Sequence, residues 1–217
     1  HNVNHWGCTV KEWRVSMPLA RRLHYYLTAD PWTLEVIHNT VRVYERQERD
    51  CRFAPDAVSA FAGVYVKAEL SGAPDDWQVV HAFMDSLARG FRPDGKYVKM
   101  MRINSAIGKG EITDDSPHDQ RCFFFNSFGG QHALVEAAEE TGHDPLIKAL
   151  IRYTRRQLEH GGPDPAAHLI PLLGLARRHT GETLFRDAMR KAVNEINPDR
   201  ANHLFAQAGS DSPLHRP

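Results

Sequence analysis

Two stretches of this chain crowd together side chains that can bind and titrate. The first is the opening segment HNVNHWGCTVKEWRVS, which carries Asn2, Asn4, His5, Trp6, Lys11, Trp13 and Arg14, with Glu12 among them. Indole rings offer flat apolar faces on which sugar rings stack, and amides and cations bind hydroxyls and carboxylates. An imidazole such as His5 exchanges a proton near neutral pH. Pro18 suits the first turn of a helix, with Ser16 as its cap, so the segment reads as a loop leading into a helix. The same residues also fit a surface loop with a buried tryptophan anchor and solvated charges. Just beyond lie His24, Tyr25 and Tyr26. Consecutive helical positions cannot share one face, and Tyr26 shares the spacing of Leu19, Leu23 and Leu27, which predicts it in the core. His24 and Tyr25 remain open to either role.

The second stretch is CFFFNSFGGQHAL, from Cys122 to Leu134. Phe123 to Phe125 read as core or as the wall of a cleft. Asn126, Gln131 and His132 flank a Gly129-Gly130 pair that permits close backbone approach at a helix start. His132 fits either a site histidine or a hydrogen-bonded core histidine. No Lys-Ser/Thr follows the glycines, so this is not a phosphate-binding P-loop.

Composition narrows the classes. The 217 residues hold 27 Lys+Arg against 27 Asp+Glu, a balance that speaks against a general phosphate-backbone binder. No apolar run approaches the roughly 20 residues that span a bilayer. The expected partners therefore include neither nucleic acid nor membrane. Cys8, Cys51 and Cys122 form no CxxC pair and no even-numbered framework, although one bridge among them is open. No HExxH or comparable spacing marks a metal site among the 13 histidines, and no cofactor is expected. His81, His168 and His179 read as structural or exposed. The chain opens without methionine inside a rich polar motif, which suggests a piece of a longer polypeptide.

Four similar turns position these residues: Thr28 to Pro31, Ser71 to Pro74, Thr141 to Pro145 and Thr180 to Thr183. Glycine after a helix permits the left-handed closing residue, Asp30 or Asp144 can cap the next helix, and proline suits its first turn. Apolar residues recur at helical spacing on both sides of each turn, giving four helix–turn–helix units. Between the second and third lies an insertion over 92–122, read as a short β-hairpin or lid, and the tail over 207–217 reads as frayed. Repeating hairpins bury their faces against neighbours, either as an open solenoid or as a closed α/α toroid. Aromatic and polar residues gathered at helix starts favour the toroid, making the chain all-α apart from the insertion.

The segments HNVNHWGCTVKEWRVSMPLARRLHYYLTAD and FNSFGGQHALVEAAEETGHDPLIKALI resemble the catalytic toroid of large bacterial exo-acting rhamnogalacturonan lyases and their relatives. The resemblance implies a single toroid domain, or the C-terminal part of one, with about four of its hairpins present and further helices and modules in a longer chain. It implies an exported protein, secreted or periplasmic, acting on an acidic polysaccharide or oligosaccharide by β-elimination at a uronic acid. That chemistry needs a cation or strong donors on the uronate carboxylate, a base for the C5 proton and an acid for the leaving oxygen. Under the resemblance Arg14 and Asn4 bind the carboxylate, His5 is the base, and Tyr25 or His132 is the acid. Asn2, Trp6, Lys11, Trp13, Asn126 and Gln131 would hold the sugar. Two other readings stay open: a glycoside hydrolase of the unsaturated uronyl type, which needs a pair of placed carboxyl groups, and a non-catalytic helical-repeat interaction module.

Overall fold

A computed structural model describes residues 17–45, 48–118, 129–160 and 166–195. Eight α-helices occupy the described residues as four antiparallel hairpins. They are α1 (Pro18–Thr28) with α2 (Pro31–Glu45), α3 (Val58–Ser71) with α4 (Pro74–Gly90), α5 (Gly130–Thr141) with α6 (Asp144–His160), and α7 (Ile170–Thr180) with α8 (Thr183–Glu195). The four connections are the four turns expected from the sequence. Gly72, Gly142 and Gly181 close α3, α5 and α7 at φ of 61°, 63° and 74°, the left-handed region that a side chain would strain. The Asp30 carboxylate accepts from the Trp32 and Thr33 amides at 3.2 and 3.1 Å, capping α2 as expected. Two caps differ. Met17, not Ser16, is the residue preceding α1 in cap position, in left-handed geometry with no side-chain cap. His143, not Asp144, caps α6: its Nδ1 accepts from the Leu146 amide at 3.3 Å, because Asp144 is already the first helical residue.

Burial separates the helices into two rows. α3 is buried almost all round, from Val58 to Val66, α5 buries more than half of its residues, and α7 buries a continuous stripe through Leu172, Leu173, Leu175 and Ala176. α4 and α6 bury one face only, through Val80, Phe83 and Leu87 and through Leu146, Leu150 and Tyr153. The odd-numbered helices therefore form the inner row and the even-numbered ones the outer wall, the arrangement of an α/α toroid. Successive inner helices touch one another, α1 on α3, α3 on α5 and α5 on α7.

The two end hairpins depart from the expected core. Leu23, Tyr26 and Leu27 are exposed (Leu27 at 86%), as are Leu184 and Val193, while α1 buries Pro18, Leu19 and Arg22. Helical spacing shows that a stripe is apolar but not which stripe a neighbour covers. A helix at either end of the row has described neighbours on one side only.

The insertion forms a hairpin, β2 (Tyr97–Asn104) and β3 (Lys109–His118), and residues 119–122 of it lie outside the described ones. A third strand, β1 (Glu48–Arg52), pairs antiparallel with β2 in the order β1-β2-β3, with Cys51 opposite Met101. Sequence reasoning missed β1 because ERDCR shows no apolar alternation, and only Cys51 of its described side chains is buried. The sheet lies along α4. A Cβ on Gly108 would sit 2.2 Å from the Val79 carbonyl oxygen, so glycine is what lets the hairpin tip touch the helix. Phe53, in a turn with a cis Ala54–Pro55 bond, stacks on Tyr97 at 5.2 Å and meets Phe91 edge-on at 5.1 Å, joining sheet and helices in one core. Cys51 is a buried free thiol that burial pushes well above its ordinary range. Cys8 and Cys122 lie outside the described residues.

Candidate functional site

The inner helices begin at one place. A Cβ on Gly129 would lie 3.5 Å from Leu19 Cδ1, and one on Gly130 would lie 2.8 Å from Val58 Cγ2. Gln131 Nε2 donates to the His168 carbonyl oxygen at 3.2 Å, just before α7. The starts of α1, α3, α5 and α7 are thus neighbours, although they are scattered along the chain. Gly129 takes φ 78° at this point and no side chain caps α5. The first amides of a helix without a side-chain cap carry partial positive charge and favour an anion. The two polar stretches of the sequence lead into the described structure here, one through Met17 into α1 and the other through Gly129 into α5.

Most of the residues expected to act lie outside the described ones: His5 and Arg14 of the catalytic set, and Asn2, Asn4, Trp6, Lys11, Trp13 and Asn126 of the binding set. Three are described. His132 is exposed one residue beyond Gln131. Gln131 is fully buried, and its Oε1 accepts no hydrogen bond. Tyr25 is half-buried on the second half of α1, its ring 6.1 Å from that of Tyr26.

Further along the inner row lies a polar belt that sequence reasoning did not single out. Arg22 of α1 donates to Glu69 of α3 through Nη1 and to Glu136 of α5 through Nη2, the latter at 2.9 Å. Tyr65 of α3 donates its hydroxyl to Glu140 of α5 at 2.8 Å, and the Arg22 guanidinium lies 5.9 Å from the Tyr65 ring centre. Arg178 of α7 holds Glu139 of α5 with two bonds, of 2.6 and 2.7 Å. One signal could have found the belt: Arg22/Tyr26, Tyr65/Glu69 and Glu136/Glu140 repeat the same i,i+4 spacing on three helices.

The electrostatics of the belt follow from its burial. Desolvation opposes the Arg22 charge, but the bonds to Glu69 and Glu136 outweigh it and hold the guanidinium more firmly protonated than usual. Burial pushes the Glu69 carboxyl above its ordinary value, and the neighbouring Glu136 and Glu140 add to that, against the pull of Arg22. The Tyr65 phenol is pushed far up, first by burial and then by the carboxylate of Glu140. Tyr26 is raised as well, through burial and through Glu69. Glu69, Glu136, Glu139 and Glu140 outnumber Arg22 and Arg178, and both arginines are held by carboxylates, so the belt does not offer a free cation to a uronate. Among the described residues no group of three or more His, Cys, Asp or Glu has an arrangement that could hold a metal ion.

The family model described as the PcRGLX-like protein C-terminal alpha/alpha toroid domain matches residues 1–77. The match takes in the first polar segment, the hairpin α1–α2, β1 and α3. No curated protein and no solved structure gives a match.

Proposed function

We propose that the chain is the catalytic toroid of a carbohydrate-active enzyme that cleaves uronic-acid-containing glycans by β-elimination. The observation that carries this reading is the closeness of the start of α5 to the start of α1, where a Cβ on Gly129 would lie 3.5 Å from Leu19 Cδ1. These are the described residues next in sequence to the two stretches richest in sugar-binding and titratable side chains. The likeness of residues 1–77 to the PcRGLX-like toroid domain supports it further.

In this proposal Arg14 and Asn4 neutralise the uronate carboxylate, with the start of α5 adding positive potential from its amides. Neutralisation makes the C5 proton acidic and stabilises the enolate-like intermediate. His5 takes that proton, and Tyr25 or His132 protonates the departing glycosidic oxygen. Electrons from the C5–H bond form the C4–C5 double bond as the C4–O bond breaks, so no water is consumed. The sugar is held by Asn2, Trp6, Lys11, Trp13 and Asn126; Gln131, expected among them, is fully buried and ties the start of α5 to the His168 carbonyl instead. The proposed substrate is an acidic polysaccharide or oligosaccharide met outside the cell or in the periplasm, with other domains of a longer chain as partners.

A glycoside hydrolase on this scaffold is the competing enzyme. It needs two free, opposed carboxyl groups. The glutamates of the belt are tied up instead, Glu69 and Glu136 by Arg22 and Glu140 by Tyr65. That occupancy removes the belt as the hydrolytic pair, while Glu12 of the first polar segment lies outside the described residues. The test is incubation with rhamnogalacturonan and with polygalacturonate while following the ultraviolet absorbance of the unsaturated product. Its growth in the wild type and its loss in His5→Ala support the reading. Products lacking the double bond mean hydrolysis, and no cleavage of any acidic glycan by the intact protein leaves an interaction module.

A further inference from the structure

The outer wall carries a second feature that the elimination chemistry does not use. Between α6 and the end of α7 runs an open groove of about 370 Å³, lined by Ile147, Lys148, Ile151, Arg152, Arg155 and His179, with Asp144 and Thr180 at its margin. Lys148, Arg152 and Arg155 fall on one face of α6, and seven residues of helix place the first and last about 10 Å apart. Ile147 and Ile151 form an apolar floor beneath them. Two of the cations already have carboxylates: Lys148 pairs with Asp144 at 2.6 Å, and Arg155 pairs with Glu182 at 2.5 Å while lying 5.7 Å from the Phe185 ring centre. His179 faces Glu139 at 3.9 Å. Arg152 is exposed and, among the described residues, has no carboxylate partner.

We propose that this groove is a holding site for an acidic oligosaccharide, separate from the end of the inner row where the bond is cleaved. Its ligand class rests on the proposed function, and its geometry stands independently. An unpartnered guanidinium presents a planar fork that takes a carboxylate through two parallel bonds. The exposed pairs of Lys148 and Arg155 are worth only about 0–1 kcal/mol each, so a second carboxylate along the chain exchanges with Asp144 or Glu182 at little cost. The isoleucine floor receives the C–H face of a sugar ring, and His179 offers a hydrogen bond from the opposite wall. With Lys148 paired to Asp144 and Arg155 to Glu182, Arg152 leaves the groove one cation in excess, which suits a carboxylate carried on a saccharide.

The experiment is calorimetric titration of the protein with a hexasaccharide of galacturonic acid, with cellohexaose as the uncharged control. Arg152→Glu should weaken hexagalacturonate binding by about tenfold or more, Arg152→Lys should retain most of it, and cellohexaose should not bind. Turnover of a short substrate in Arg152→Glu should stay at the wild-type rate. Equal affinity in wild type and Arg152→Glu overturns the proposal, as does equal affinity for the two sugars. Should Arg152→Glu fail to fold, Arg152→Gln and Lys148→Gln decide it by the same criterion. The two readings fail separately: Arg152-dependent binding without unsaturated product removes the lyase alone, and product formation with Arg152-independent binding removes the groove alone.

Discussion

Arg22 donates from Nη2 to the Glu136 carboxylate, 2.9 Å away and 114 residues further along the chain. The bond joins the first inner helix to the third, while the other terminal nitrogen of Arg22 holds Glu69 on the second. In a straight stack α3 would separate α1 from α5. Contact among all three requires the inner row to curve, and Leu19 beside Gly129 shows the same curvature at the other end of these helices. The belt spans that curve, and the same curve sets the start of α1 beside the start of α5.

Removing that tie should be costly. Arg22→Met takes away the cation and leaves Glu69 and Glu136 facing each other, where Glu69 is only 18% exposed. Breaking a buried pair in this way costs about 3–5 kcal/mol. The half-exposed Glu136 can rehydrate, which places the expected loss near the lower figure. Urea unfolding measures it. The double variant Arg22→Met/Glu69→Gln should lose less than the two single losses added, and strict additivity would show that the pair does not act as a unit.

The belt also predicts a pH dependence. The Glu69 carboxyl is raised above its ordinary 4.5, chiefly by burial, so the folded state holds its proton over a range where the unfolded state has lost it. Stability linked to Glu69 is therefore greatest at and below that ordinary value, and it falls as pH rises toward the folded one. Glu69→Gln carries no such proton. The Tm difference between wild type and Glu69→Gln should shift against the wild type as pH climbs out of the acid range. Parallel Tm curves would remove Glu69 as the source.

The turns were the most legible part of the sequence, because a left-handed closing glycine and a proline in the next helix's first turn are demanded by backbone geometry. Gly72, Gly142, Gly181, Pro31 and Pro74 all stand where that geometry places them. The exposed faces of the end hairpins were not legible: Leu23 and Tyr26 have core spacing, and only the row order shows that they lie at an edge. The belt was hidden for a related reason. Glu69 and Glu136 look like the solvated residues any helix carries, until Arg22 from a distant part of the chain is set between them. In the candidate site, residue types alone marked the two polar segments. That the helices they lead into start side by side needed the fold, because nothing local in either segment names the other.

Docking of the β-hairpin on α4 can be isolated by comparing two glycines. Gly72 and Gly108 share left-handed geometry, at φ 61° and 66°. A Cβ at Gly72 meets nothing within 4 Å, whereas one at Gly108 strikes the Val79 carbonyl and the Phe83 amide. Gly72→Ala should cost only the left-handed strain of about 1–2 kcal/mol. Gly108→Ala should cost about 1–3 kcal/mol more, as overpacking does. Denaturant midpoints decide it, and equal losses would mean that the hairpin tip gives way without cost.

The choice of acid is the sharpest test of the proposed chemistry. His132 is exposed at the start of α5, close to where Gly129 neighbours Leu19 of α1, whereas Tyr25 lies on the second half of α1. If His132 protonates the leaving oxygen, His132→Ala should lower kcat by about 10²–10⁴ with the Michaelis constant little changed. Tyr25→Phe, which removes only a hydroxyl, should then turn over nearly as the wild type does. The reverse ranking assigns the acid to Tyr25. Replacing an exposed His132 should alter stability by no more than about 0.5 kcal/mol, so lost turnover at unchanged Tm reports chemistry rather than folding. A substrate carrying a leaving group that needs no proton should restore the rate in whichever variant lacks the acid, and near-wild-type kcat in both variants with the natural glycan would remove both residues from the step.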